Sequence, residues 1–172
     1  MTARMNPQQP RMKSPGTILP AVVQGIQTLI GAVYKSGAPR STLELVHLRV
    51  SQINACAPCI DSGWRTAKKA GESDERLFNV AAWRHAPYYS DAERAALALA
   101  EATTRLADRE EAVPDEIWNE VAKHHDEKTL AALVTWIALT NFFNRLNTGS
   151  SAGSEIAITS RHSAHRARCS RT

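Results

Sequence analysis

Apolar residues recur at three- and four-residue intervals through most of the chain, and no stretch of useful length alternates with the period of a strand. The first stripe is Val22, Ile26, Leu29 and Val33, which predicts a helix from about Ile18 to Lys35 ended by Ser36-Gly37. Pro39 sits where a missing N–H costs nothing, at the opening of a second helix. Leu45, Leu48 and Ile53 form its apolar side, with Glu44, His47 and Ser51 on adjoining faces. A third helix is expected from Cys56 or Ala57 to Ala70, closed by Gly71. Ser73-Asp74-Glu75-Arg76 opens a short helix through Phe78 and Ala82, interrupted by His85-Ala86-Pro87-Tyr88-Tyr89. Ser90 and Glu93 have the spacing of a capping box and launch an alanine-rich helix to about Leu106. Pro114 opens another, and the last runs from about Glu127 to Leu146. Short connections between such helices predict an all-α, antiparallel bundle-like domain.

That domain is expected to span residues 18–147. Residues 1–17 hold three prolines and few apolar groups, and so bury too little to offset the entropy of ordering. Residues 148–172 form a polar, His- and Arg-rich tail. Both ends are therefore expected to be flexible.

The net charge of +4 changes the picture little once it is located. Residues 50–149 hold 11 Lys/Arg against 15 Asp/Glu, so the excess positive charge sits in the two ends. No concentrated basic face marks a nucleic-acid-binding element. The longest apolar run, Leu130 to Phe143, is broken by Thr135, Thr140 and Asn141, which speaks against a membrane span. The N-terminus lacks the pattern of a secretory signal. Three cysteines do not make a disulfide framework; a cytoplasmic thiol pair, with Cys169 a bystander in the tail, is the better class.

The candidate chemistry lies in Cys56 and Cys59. Residues three apart on a helix share a face, so the sulfurs can approach bonding distance. At a helix start, free N–H groups and the helix dipole favour a thiolate. A thiolate beside a second thiol can attack an oxidant and be resolved as a disulfide. Half of a metal site and plain core cysteines are the alternatives. The first suffers from having no matching second pair of ligands, and neither a metal nor an organic cofactor is expected.

The run from Glu44 to Ala70, with its Ser-Gln-Ile-Asn-x-Cys-x-x-Cys core, resembles the AhpD-like alkylhydroperoxidase branch of the carboxymuconolactone decarboxylase family. Ala82-Trp83-Arg84 and Asn144-Arg145-Leu146 extend the likeness over about residues 15 to 147. The resemblance implies an oligomeric helical protein that reduces organic hydroperoxides and draws electrons from a lipoyl or other external dithiol. It makes Cys59 the sulfur that meets the peroxide, and Cys56 the resolving, more exposed sulfur. Glu44, twelve residues before Cys56, becomes the relay carboxylate.

The relay histidine should stand four residues after Cys59, where this chain has Gly63. That departure predicts slow turnover, which Gly63→His should raise. It also keeps open a non-catalytic oligomer of the same fold, with the ring-opening decarboxylase side of the family as a further alternative. His47, one turn after Glu44, is a substitute if its face meets the cysteine helix; otherwise it is a packed or solvated residue. His85 could line a pocket, and His124 and His125 read as surface residues. Trp83, Trp118 and Trp136 are expected as packing anchors. Trp64 and Phe78 are either core or the mouth of a substrate pocket. Arg49 and Arg145 call for acidic partners. The alanine-rich helix, with Trp136, Phe142 and Phe143, suggests close association of copies.

Overall fold

The structure, a computed structural model, describes residues 10–108 and 110–150. Every regular element among them is helical: α1 Pro15–Ile18, α2 Pro20–Tyr34, α3 Arg40–Ile53, α4 Ala57–Lys69, α5 Asp74–Asn79, α6 Asp91–Thr104, α7 Asp115–His124 and α8 Glu127–Ser150. Short 3-10 turns follow α5 at Val80–Ala82 and α6 at Leu106–Asp108. The fold is an all-α helical bundle.

Helix α3 is the central element and packs against α4, α6 and α8. One apolar cluster joins α2, α3, α6, α7 and α8 around Leu43, Val46, Leu99, Leu133, Trp136 and Ile137. A second lies on the other side of α3, where Leu45 and Leu48 meet Ala67, Leu77, Trp83 and Leu97. Burial on both sides explains why α3 lacks a single apolar stripe. Even its polar residues Glu44, His47 and Ser51 are at most 2% exposed.

Local chemistry sets the element ends. Ser90 and Glu93 form the capping box, each bonded to the other's backbone N–H. Gly71, at φ 96°, closes α4 in a Schellman turn: Glu72 N–H bonds the Ala67 carbonyl and Gly71 N–H the Lys68 carbonyl. The end of α3 repeats that turn with a non-glycine residue. Ala55 takes φ 51°, its N–H bonds the Gln52 carbonyl, and Cys56 N–H bonds the Ser51 carbonyl. This turn delivers Cys56 as the N-cap of α4.

Several boundaries differ from expectation. The first helix is split, because Pro20 starts α2 and pushes Leu19 to φ −121°, ψ 80°. The described residues before Ile18 include the α1 turn, and Arg11 N–H bonds the Ser150 carbonyl. Helix α8 continues past Leu146 to Ser150, because Asn147 and Ser150 are buried against the fold at 7% and 3% exposure. The C-terminal tail with Cys169, His162 and His165 lies outside the described residues.

Trp83 and Trp136 are buried anchors, whereas Trp118 is 41% exposed on the outer side of α7. Trp136 donates to the Leu43 carbonyl at 2.8 Å and so ties α8 to α3. Arg49 finds its acid in Glu101, which also receives Arg84 and the Trp83 indole N–H. Arg145 instead bonds Asn141. The surfaces named for association are largely consumed within the chain: Trp136, Phe143, Ala95, Ala96, Ala100 and Ala102 are buried, and Phe142 stays exposed. No helix among the described residues is long and apolar enough to cross a membrane.

Candidate functional site

Three helices meet at the cysteine pair. The α3–α4 turn supplies Cys56, the first turn of α4 supplies Cys59, and the sulfurs are joined as a disulfide with Cα atoms 5.3 Å apart. The expected greater exposure of Cys56 is not found. It is 2% exposed and Cys59 3%, because the turn at Ala55 folds the cap inward. An asparagine network fastens this turn to α8. Asn54 donates to the side-chain oxygens of Asn141 (2.9 Å) and Asn144 (2.8 Å), and Asn144 donates to Ser51 Oγ at 3.1 Å.

His47 reaches this site from α3. Its Nε2 lies 3.3 Å from the Cys59 carbonyl oxygen, and its Nδ1 lies 3.3 Å from Thr140 Oγ1 of α8. The ring fills the space beside Gly63. A β-carbon there would fall 2.6 Å from His47 Cδ2 and 3.1 Å from Nε2. The glycine that reads as a lost histidine in sequence is thus the room that a different histidine occupies.

The proton count around the ring is short by one. Thr140 Oγ1 gives its proton to the Trp136 carbonyl at 2.8 Å, so its contact with His47 needs an Nδ1–H. The Cys59 carbonyl needs an Nε2–H. A neutral imidazole has one N–H, so only the imidazolium makes both bonds together. Burial opposes that state and lowers the His47 pKa to about 4, against a smaller upward pull from the Cys59 carbonyl. At neutral pH the ring is uncharged, with an acceptor already facing its second proton site.

Glu44, one turn earlier on α3, is paired with Arg40 at 2.5 Å. Among the described residues no hydrogen bond joins it to His47 or to a cysteine. Burial raises its pKa, opposed by Arg40 and more weakly by Tyr34. Tyr34 lies beneath the Arg40 guanidinium, 3.7 Å from ring centre to Cζ, with its hydroxyl buried and lacking a well-formed hydrogen bond. The carboxyl and imidazole of α3 therefore flank one region without touching.

One residue that sequence reasoning missed touches the sulfur directly. Asn147 Nδ2 donates to Cys59 Sγ at 3.3 Å. A signal for it existed: Asn141, Asn144 and Asn147 recur every three residues along α8, a spacing that places them on one face.

The other candidates lie elsewhere. His85 is exposed, and His124 pairs with Glu120 at the surface. Trp64 (42% exposed) and Phe78 (86%) are not core but line an open groove of about 770 Å³ with Leu48, Gln52, Ala57 and Ile60. Neither cysteine lines that groove. No cluster of three or more metal-ligating side chains occurs among the described residues.

Comparison with known proteins places this site in a family. The sequence profile of the carboxymuconolactone decarboxylase family matches residues 20–102. The uncharacterised protein YdfG of Bacillus subtilis (strain 168) is 40% identical over 113 residues, covering 66% of this chain and 76% of its own length. The uncharacterised protein YnjA of Escherichia coli (strain K12) is 31% identical over 132 residues, covering 75% and 70%. Among solved structures, one of unknown function from Agrobacterium tumefaciens, provisionally described as the antioxidant-defence protein AhpD, superposes with a TM-score of 0.78. It is 26% identical, and the alignment covers 84% of this chain and 97% of that one. The debrominase Bmp8 shares the fold at a TM-score of 0.71 and 20% identity, covering 82% and 74%. The chain belongs to the AhpD/carboxymuconolactone decarboxylase family.

Proposed function

We propose that the protein is a dithiol hydroperoxide reductase in which His47 has taken over the proton-relay position that Gly63 leaves open. The observation that carries this reading is the shared volume of His47 and Gly63 beside a closed Cys56–Cys59 pair. In the reduced protein, uncharged His47 accepts the Cys59 thiol proton and becomes the imidazolium that bonds both the Cys59 carbonyl and Thr140.

The thiolate then attacks the terminal oxygen of an organic hydroperoxide. A sulfur–oxygen bond forms, the O–O bond breaks, and the departing alkoxide takes a proton to become an alcohol. Cys59, oxidised by two electrons to the sulfenic acid, condenses with the Cys56 thiol, releasing water and closing the disulfide. An external dithiol, such as a lipoyl group, returns the pair to the reduced state and is itself oxidised to a disulfide. In this reading Glu44, whose pKa is raised by burial, serves as a proton reservoir one turn from His47.

The test is single-turnover oxidation of reduced protein by cumene hydroperoxide, in a Cys169→Ser background, followed by loss of free thiol. One equivalent of peroxide should remove both thiols. Cys59→Ser should abolish the reaction, and His47→Ala should slow it by roughly 10²–10⁴-fold, the usual range for a positioned acid–base group. Thiols that survive stoichiometric peroxide would defeat the proposal in favour of a non-catalytic protein of this fold.

A further inference from the structure

The three asparagines of α8 differ in how completely they are used. Asn141 donates to Thr104 and the Ile137 carbonyl and accepts from Asn54 and Arg145. Asn144 accepts from Asn54 and donates to Ser51. Asn147 is engaged at one end alone: its Nδ2 meets Cys59 Sγ, while its buried Oδ1 has no hydrogen-bond partner among the described residues.

A buried carboxamide with an unsatisfied oxygen is a cost that a leucine of similar volume would not incur. At this position the unsatisfied acceptor belongs to the same amide whose Nδ2 lies 3.3 Å from the sulfur that reacts. Asn147 is neutral, so it can hold a thiolate without competing for a proton. Among the described residues, the titratable groups bonded to Cys59 are His47 from α3 and Cys56 on its own turn.

We propose that Asn147 orients both partners of the reaction: Nδ2 holds the Cys59 thiolate, and Oδ1 accepts the O–H of the incoming hydroperoxide. The terminal oxygen is thereby turned towards the sulfur, and the leaving oxygen away from it. The S–O bond forms on the oxygen that carries the hydrogen, and the electron pair of the broken O–O bond departs on the alkyl-bearing oxygen, which is then protonated. This assignment rests on the hydroperoxide-reductase reading and adds a selectivity to it, because the substrate must carry an O–H.

The experiment uses full-length protein with Cys56→Ser and Cys169→Ser, leaving Cys59 as the sole thiol. Two rates are measured across pH: alkylation by iodoacetamide, which needs the thiolate alone, and oxidation by cumene hydroperoxide, which needs the thiolate and an oriented O–H. Asn147→Leu removes donor and acceptor. It should raise the Cys59 pKa and, at a pH where the thiolate is fully formed, lower the oxidation-to-alkylation ratio by roughly tenfold to a hundredfold. Asn147→Asp keeps the shape and an acceptor, so it should raise the Cys59 pKa further while preserving more of the ratio. It also serves if the leucine variant folds poorly. An unchanged ratio and pKa in both variants overturns the role of Asn147. A parent protein that reacts with the peroxide no faster than free cysteine overturns the hydroperoxide reading itself, and the two failures are told apart by the parent's rate.

Discussion

Gly63 and His47 share one volume: the missing side chain of the first is filled by the ring of the second. The expectation that Gly63→His would speed the reaction is therefore reversed, because two rings cannot occupy that space. Gly63→Ala should already destabilise the protein by about 1–3 kcal/mol through overpacking, although alanine gains roughly 1 kcal/mol in helix propensity. The pair His47→Ala with Gly63→His should recover part of the stability and rate that either change alone removes. Urea unfolding and single-turnover oxidation of the four proteins would measure the coupling, and strictly additive effects would refute the shared volume.

His47 also predicts a pH dependence of stability. Its pKa is about 4 in the folded chain against 6.5 for the free side chain, so between these values the unfolded chain binds more protons. Stability therefore rises with pH through that window. It is complete above about pH 6.5 and falls as the pH drops towards 4, a span worth about 3 kcal/mol at most. His47→Gln should flatten the profile. The lowered carboxylates Glu93 and Glu101 act further down, losing their contribution as pH falls below 4.5, and should be unaffected by the substitution. Thermal unfolding of both proteins from pH 4 to 8 decides the matter.

The helices were legible in sequence because their periodicity and end signals agree: the Ser90–Glu93 box, Gly71 and Pro39 each mark a boundary that the structure keeps. The pairing of Cys56 with Cys59 followed from spacing. The rest of the site did not, because whether the His47 face meets α4 or solvent depends on packing across α3. Gly63 read as a loss for the same reason, since a single sequence does not reveal what stands opposite a glycine. Asn147 was hidden by Thr148-Gly149, which signal a helix end that tertiary contacts at Asn147 and Ser150 override.

Ala55 offers an independent check on the turn that presents Cys56. It holds a left-handed conformation that costs a residue with a β-carbon about 1–2 kcal/mol. Glycine would relieve this, less the extra entropy it brings to the unfolded chain. Ala55→Gly should thus stabilise the protein by about 0.5–1 kcal/mol and leave peroxide oxidation unchanged. A loss of stability on denaturant titration would contradict the turn geometry.

We expect copies of the chain to associate through the outer faces of α2 and α8. Leu29 and Phe142 are 48% and 41% exposed there and border an apolar groove of about 420 Å³. Phe142→Glu should shift the protein towards monomer at micromolar concentration while retaining its helical circular dichroism. Light scattering that finds the unsubstituted chain already monomeric and fully helical would dispose of this expectation.

Burial of both sulfurs has a kinetic consequence. In the proposed cycle a dithiol donor must reach a sulfur that is at most 3% exposed, so recharging of the oxidised form is expected to require fraying of the first turn of α4. That turn is held by its disulfide and by contacts to His47 and Asn147, but it lacks a side-chain cap at Cys56. Local opening of this kind is drawn from the low-stability end of a fold. Recovery is then a gated step, saturating in donor concentration at the rate of opening, and amide exchange at Ile60, bonded to the Cys56 carbonyl, would report the gate.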